Sequence, residues 1–211
     1  MLSFVIEFYR LQDRRSLWAE IIDWGKTGLE IARQSDDTQT EKAIANQIGG
    51  AYLSLDQYKQ AIEYYRKVLE LAGNTEDQRG EAVAYGSLGN AEFSLGNYQS
   101  AVLYHEKALN LMSLIGDRKN EGATYGNLGI AYGGLGNYTK ALECQTEYLK
   151  IAQQLNDQSG ESNAYGSLGN VYFNRGKYHE SIEYQLKRLK IIKNTGDKRG
   201  EIITYVNLCF C

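Results

Sequence analysis

Proline is missing from all 211 residues of this chain. With no ring to fix φ or remove a backbone donor, nothing forces a helix to stop. Helix ends must therefore be set by residues that tolerate tight or left-handed turns, chiefly Gly, Asn and Asp. Cysteine is scarce: Cys144, Cys209 and Cys211 are odd in number and poorly placed for a disulfide framework, which suits a reducing, cytoplasmic compartment. No apolar run reaches the roughly 18 residues a membrane span needs. The opening segment 1–13 is apolar in patches but carries Glu7 and Arg10, and it has neither a basic start nor a small-residue cleavage site, so it does not read as a signal peptide. Excess charge is lacking as well. A formal net charge of −3 and a pI near 5.5 favour neither nucleic acid nor an anionic membrane as a partner.

What is present is repetition. Tyr85-Gly86-Ser87-Leu88-Gly89-Asn90 returns as Tyr125-Gly126-Asn127-Leu128-Gly129-Ile130 and as Tyr165-Gly166-Ser167-Leu168-Gly169-Asn170, 40 residues apart each time. The same step joins Asp37, Asp77, Asp117, Asp157 and Asp197, then Glu41, Glu81, Glu121, Glu161 and Glu201. It also joins Trp18 to the tyrosines at 58, 98, 138 and 178, and Leu29 to the leucines at 69, 109, 149 and 189. A fixed period of this length with no insertion marks a stacked repeat architecture.

Each period reads as two amphipathic helices. The first runs from about Gln78 to Leu95, with Ala82, Tyr85, Leu88, Gly89 and Leu95 at helical spacing, and the second from about Tyr98 to Leu114. Gly96-Asn97, Gly136-Asn137, Gly176-Lys177 and Asp56-Gln57 supply the turns, which makes Asn137-Tyr138-Thr139 a turn between paired helices and not a glycosylation site. Gly116, Asn156 or Gly196 would close the second helix in the left-handed region, and the Asp after it would cap the next helix. Gly89 and Ala101 fall where paired helices cross. The expected organisation is a degenerate N-terminal helix over 1–13 and one array over 14–211, with periods near 38–77, 78–117, 118–157 and 158–197 and a partial repeat over 198–211. The first unit keeps Trp18 and Leu29 but has Tyr9 where the others have Gly.

Tyr85, Leu88, Gly89 and Ala101, like Tyr125, Leu128, Gly129, Tyr132 and Ala141, resemble the pattern of the tetratricopeptide repeat family over roughly 14–211. The longer repeat and Asn127-Leu128-Gly129 are similar to the Pins/LGN adaptors and more loosely to kinesin light chain. The departures are the repeat length, the missing proline, and Glu92 in place of Tyr. The resemblance implies an all-α, right-handed α-α superhelix (a solenoid) of about five helix-turn-helix repeats, a non-catalytic scaffold whose leading helices line a concave groove for an extended peptide.

Projected onto that face are Asn46, Gln47, Gly50 and Leu53; Val83, Gly86, Ser87, Asn90 and Phe93; Ala123, Gly126, Asn127, Ile130 and Gly133; and Asn163, Gly166, Ser167, Asn170 and Phe173. Asn carries both a donor and an acceptor and can pair with a peptide backbone, Gly permits close approach, and the Phe residues can pocket apolar side chains. The bland alternative is a solvated, tightly curved face. A family variant that clamps a terminal carboxylate with Lys and Arg finds no match at these positions. Arg79, Lys119 and Arg199, one turn earlier, form a candidate basic rim for an acidic ligand.

Candidate chemistry is sparse. His105 and His179 lack a second ligand at metal spacing, and His105 aligns with Tyr65, Gln145 and Gln185, a packing column. No Cys-x-x-Cys, phosphate loop or nucleophile elbow occurs, so no cofactor, metal or catalytic residue is assigned. Cys209-Phe210-Cys211 looks like a prenylated Cys-x-Cys tail but falls inside a repeat, where Cys144 and Cys209 would act as small core residues. The competing roles are the regulatory or sensor arm of a larger enzyme or signalling ATPase, and a structural array that self-associates end to end.

Overall fold

The computed structural model describes residues 2–210, with side chains from 15 to 210. Among the described residues every element is an α-helix: α1 (Leu2–Gln34), α2 (Thr38–Ser54), α3 (Tyr58–Asn74), α4 (Gln78–Ser94), α5 (Tyr98–Leu114), α6 (Arg118–Gly134), α7 (Tyr138–Gln154), α8 (Gln158–Asn174), α9 (Tyr178–Thr195) and α10 (Lys198–Phe210). The chain divides into two compact units, Met1–Asn97 and Tyr98–Cys211.

The corners explain why proline is dispensable. Asp36, Asp56, Glu76, Gly96, Gly116, Gly136, Asn156, Gly176 and Gly196 all have positive φ, one every 20 residues, so the 40-residue period contains two equal steps. After most of these corners the next backbone N–H reaches back five residues, as Asp77 N–H does to the Ala72 carbonyl (3.0 Å) and Asp157 N–H to that of Ala152 (2.8 Å). That is the six-to-one bond of a Schellman ending, and the donor residue is also the N-cap of the next helix. The side chains of Asp37, Asp77, Asp117 and Asp157 accept from the backbone N–H of Thr40, Gly80, Asn120 and Gly160, as does Asn137 from Lys140. Each such cap is worth about 1 kcal/mol and leaves one fewer orphan donor.

In the first unit, Ile22, Leu29, Ala45, Ile48, Ala51 and Val68 form the buried core, and Trp18, Tyr52 and Tyr64 pack on its edges. Burying a side chain such as Ile48, which is fully enclosed, contributes about 2–3 kcal/mol. In the second unit, Leu128, Ala131, Ala141, Ile151, Ala152 and Leu168 play the same part. Small residues set the helix separation: a Cβ at Gly49 would lie 2.6 Å from the Tyr65 ring, and one at Gly129 or Gly169 would lie 2.6 Å from Nε2 of Gln145 or Gln185.

α1 runs unbroken from Leu2 to Gln34, through the place where a corner 20 residues before Asp36 would fall. The first period therefore contributes one long helix in place of a pair. Cys209 is exposed and not a core residue, since α10 packs on α9 and leaves its other side open, whereas Cys144 is buried and its thiol is pushed up to about 11 by desolvation. Cys211 lies outside the described residues.

Candidate functional site

Leading helices α6 and α8 touch in the second unit and share one face. Their side chains make a recess of about 290 Å³ whose wall carries Ala123, Asn127, Ile130, Asn163 and Ser167. Its floor comes from the trailing helices. Gly126 and Gly166 do not open onto solvent as their helical positions suggested. Tyr148 of α7 lies across Gly126, and Arg188 of α9 lies across Gly166, where a Cβ would meet the Tyr148 ring at 2.9 Å and Arg188 Nη1 at 2.8 Å. The glycines are gaps through which second-helix side chains reach the leading-helix face. The Tyr148 hydroxyl hydrogen-bonds Asn163, and burial raises its pKa. Arg188 is half-buried, its guanidinium pKa is lowered by desolvation, and its Nε is sealed from water with no hydrogen-bond partner.

Beside this recess, Asn170 accepts from Gln185 Nε2 (3.2 Å) and from Asn207 Nδ2 (3.4 Å). These amides and Phe173 and Phe210 line a second hollow of about 310 Å³. Gln185 is fully buried and also reaches the Gly166 carbonyl (3.4 Å), as Gln145 reaches that of Gly126 (2.8 Å). Phe173 is 36% exposed and meets the Tyr178 ring edge-on at 5.5 Å.

In the first unit, Asn46 and Arg79 line a recess with Ala43, Val83, Lys42 and Asp77. Lys42 is 6% exposed and donates to Asp77 Oδ2 at 2.6 Å, and that hydrogen bond is the main cause holding the Asp77 carboxyl below its ordinary range. Gln47 and Asn90 are exposed, Phe93 is half-buried, and Ser87 hydrogen-bonds the Tyr65 hydroxyl. Lys119 and Arg199 are exposed in the second unit, outside the residues that line its two recesses. The structure thus brings Asn127, Ile130, Asn163 and Ser167 together, places Asn170 and Phe173 in the neighbouring hollow, and leaves Asn46, Gln47, Ser87, Asn90 and Phe93 on the first unit.

Sequence reasoning missed Tyr148, Arg188 and Lys42. Position 188 shares its column with Val68, Ala108 and Tyr148, and position 42 shares its own with Ala82, Gly122 and Ser162. In both, one repeat carries a long cation where its siblings carry none, and that departure was the available signal. His105 is 1% exposed, with its pKa lowered to about 4 by burial, while His179 is exposed and pairs with Glu183. Among the described residues, no three His, Cys, Asp or Glu gather closely enough to hold a metal, and no helix is long and apolar enough to cross a membrane.

The sequence matches the tetratricopeptide repeat family over residues 41–113, 80–154 and 162–195. No curated protein matches it. Among solved structures it is similar to a signal-transduction ATPase with a tetratricopeptide repeat sensor from Pyrococcus horikoshii (TM-score 0.73, 22% identity, covering 96% of this chain and 35% of that one). It is also similar to a Rap protein complexed with Competence and Sporulation Factor (0.68, 16%, 93% and 59%). A third is the kinesin-light-chain-like repeat protein of Podosopora anserina (0.64, 17%, 90% and 97%).

Proposed function

This chain belongs to the tetratricopeptide repeat family, and from that premise we propose that it is a non-catalytic cytoplasmic scaffold that holds an extended peptide against its leading-helix face, in the manner of the Pins/LGN type of adaptor its 40-residue period resembles. The observation that carries this reading is the α6–α8 recess, where Asn127 and Asn163 come from neighbouring leading helices beside Tyr148 and Arg188. Side-chain amides from two adjacent helices can donate to and accept from the main chain of a strand laid across them, whatever its sequence. The Rap protein of similar fold, bound to Competence and Sporulation Factor, supports a repeat array of this kind as a ligand holder.

The test is selection from a phage-displayed random dodecapeptide library, followed by fluorescence-anisotropy titration of the selected peptides. An Asn127→Ala, Asn163→Ala double variant should bind them about tenfold more weakly or worse, since each lost hydrogen bond is worth about 1 kcal/mol. Glu143→Ala with Leu186→Ala, on exposed trailing-helix positions, should bind as wild type. Equal affinity of the wild type and the double amide variant would refute the groove.

A second reading, the sensor arm of a larger signalling ATPase, is favoured by the likeness to the Pyrococcus horikoshii protein over 96% of this chain. Self-association is a further option, because α10 exposes Ile202, Val206 and Phe210; concentration-dependent light scattering that fails to rise would remove it.

A further inference from the structure

Arg188 is a cation that no carboxylate contacts directly. Its Nε is buried and unbonded, and among the described residues it makes no ion pair. The carboxylate whose field reaches it, Asp197, is occupied in capping α10 through the Gly200 N–H at 3.0 Å. The other residues of the recess (Asn127, Asn163, Ser167 and Tyr148 among them) are all neutral. Removing part of a guanidinium from water without a partner is costly, and trailing-helix position 188 needs no arginine for packing, since the same column holds valine, alanine and tyrosine elsewhere. Gly166 is what lets the side chain cross to the leading-helix face, since any Cβ there would collide with it.

We propose that Arg188, reaching through the gap at Gly166, is a specificity residue that selects extended peptides carrying an acidic side chain, Glu or Asp, at the position lying between Asn127 and Asn163. This rests on the peptide-groove reading and adds the ligand's charge to it. A single planar fork suits a carboxylate. A phosphate dianion would call for several cations or a nest of free backbone N–H groups, and these mid-helix faces have their N–H groups already bonded within the helix. The amides to either side would hold the peptide main chain while the acidic side chain points down to Arg188.

The probes are two synthetic libraries of random dodecapeptides with amidated C-termini, identical except that one fixes a central Glu and the other a central Gln. The full chain should bind the Glu library about tenfold or more tightly, the usual effect of a charge-assisted hydrogen bond made in a partly buried site. Arg188→Gln should erase that preference without lowering the thermal midpoint, because it removes a half-buried charge that makes no ion pair; a purely structural arginine would lower the midpoint. Gly166→Ala, which puts a methyl group where Arg188 lies, should reduce the preference while keeping the arginine. If neither library binds, the groove reading falls and the proposal with it. If both bind equally to wild type, or if Arg188→Gln keeps the preference for Glu, the groove stands and the assignment of Arg188 is overturned. Displacement of the Glu library by millimolar inorganic phosphate would mean a general anion site, and would overturn the peptide assignment.

Discussion

Acidification should weaken this fold through one residue. His105 is 1% exposed, its pKa is lowered from 6.5 to about 4, and desolvation is the cause. In the unfolded chain it titrates near its ordinary value, so between those two values the unfolded state holds a proton the native state refuses. Stability is therefore full above the unfolded pKa and falls with pH through the window down to the folded value. A gap of this size corresponds to about 3 kcal/mol in total, of which about 2 kcal/mol is lost between about pH 7 and about pH 5. The carboxyls of Asp37, Asp77 and Glu180 are held below their ordinary values, so the native state keeps them charged at both pH values compared. The repeat supplies its own control, since Gln145 and Gln185 fill the equivalent place. Urea unfolding at the two pH values should show the loss in wild type and little of it in His105→Gln. An equal loss in both proteins would refute the assignment to His105.

Asp77→Ala removes a helix cap and strands the nearly buried Lys42, and should cost about 3 kcal/mol in chemical denaturation; pairing it with Lys42→Met should recover most of that. Gly86→Ala meets nothing within 4 Å and should raise the melting midpoint by the equivalent of about 0.5–1 kcal/mol, whereas Gly129→Ala pushes Gln145 off the Gly126 carbonyl and should lower it.

The periodic part of the molecule was legible because periodicity is what the sequence repeats. The helix from Tyr98 to Leu114, the left-handed residues at 116, 156 and 196 and the aspartate caps come from spacing and turn chemistry alone. The fused first helix was not, since Trp18 and Leu29 preserve the helical face while the residues near 16 carry no turn signal to end it. The floor of the recess was hidden for another reason. Projection onto one helix shows which side of that helix a residue occupies, but not what a neighbouring helix sends across a glycine. Gly126 and Gly166 look open when α6 and α8 are considered alone; the filling side chains, Tyr148 and Arg188, come 22 residues later in the chain.

The corner residues, one every 20 positions, have a bearing on how such a gene can change. Because each corner ends one helix and starts the next, a duplication or loss of one whole period joins a corner to a corner, with the aspartate caps and crossing glycines still in phase. Copy number can then drift by recombination without a misfolded intermediate at the seam. A continuous stretch such as α1, which has no corner, is a place where an in-phase exchange would leave one helix too few.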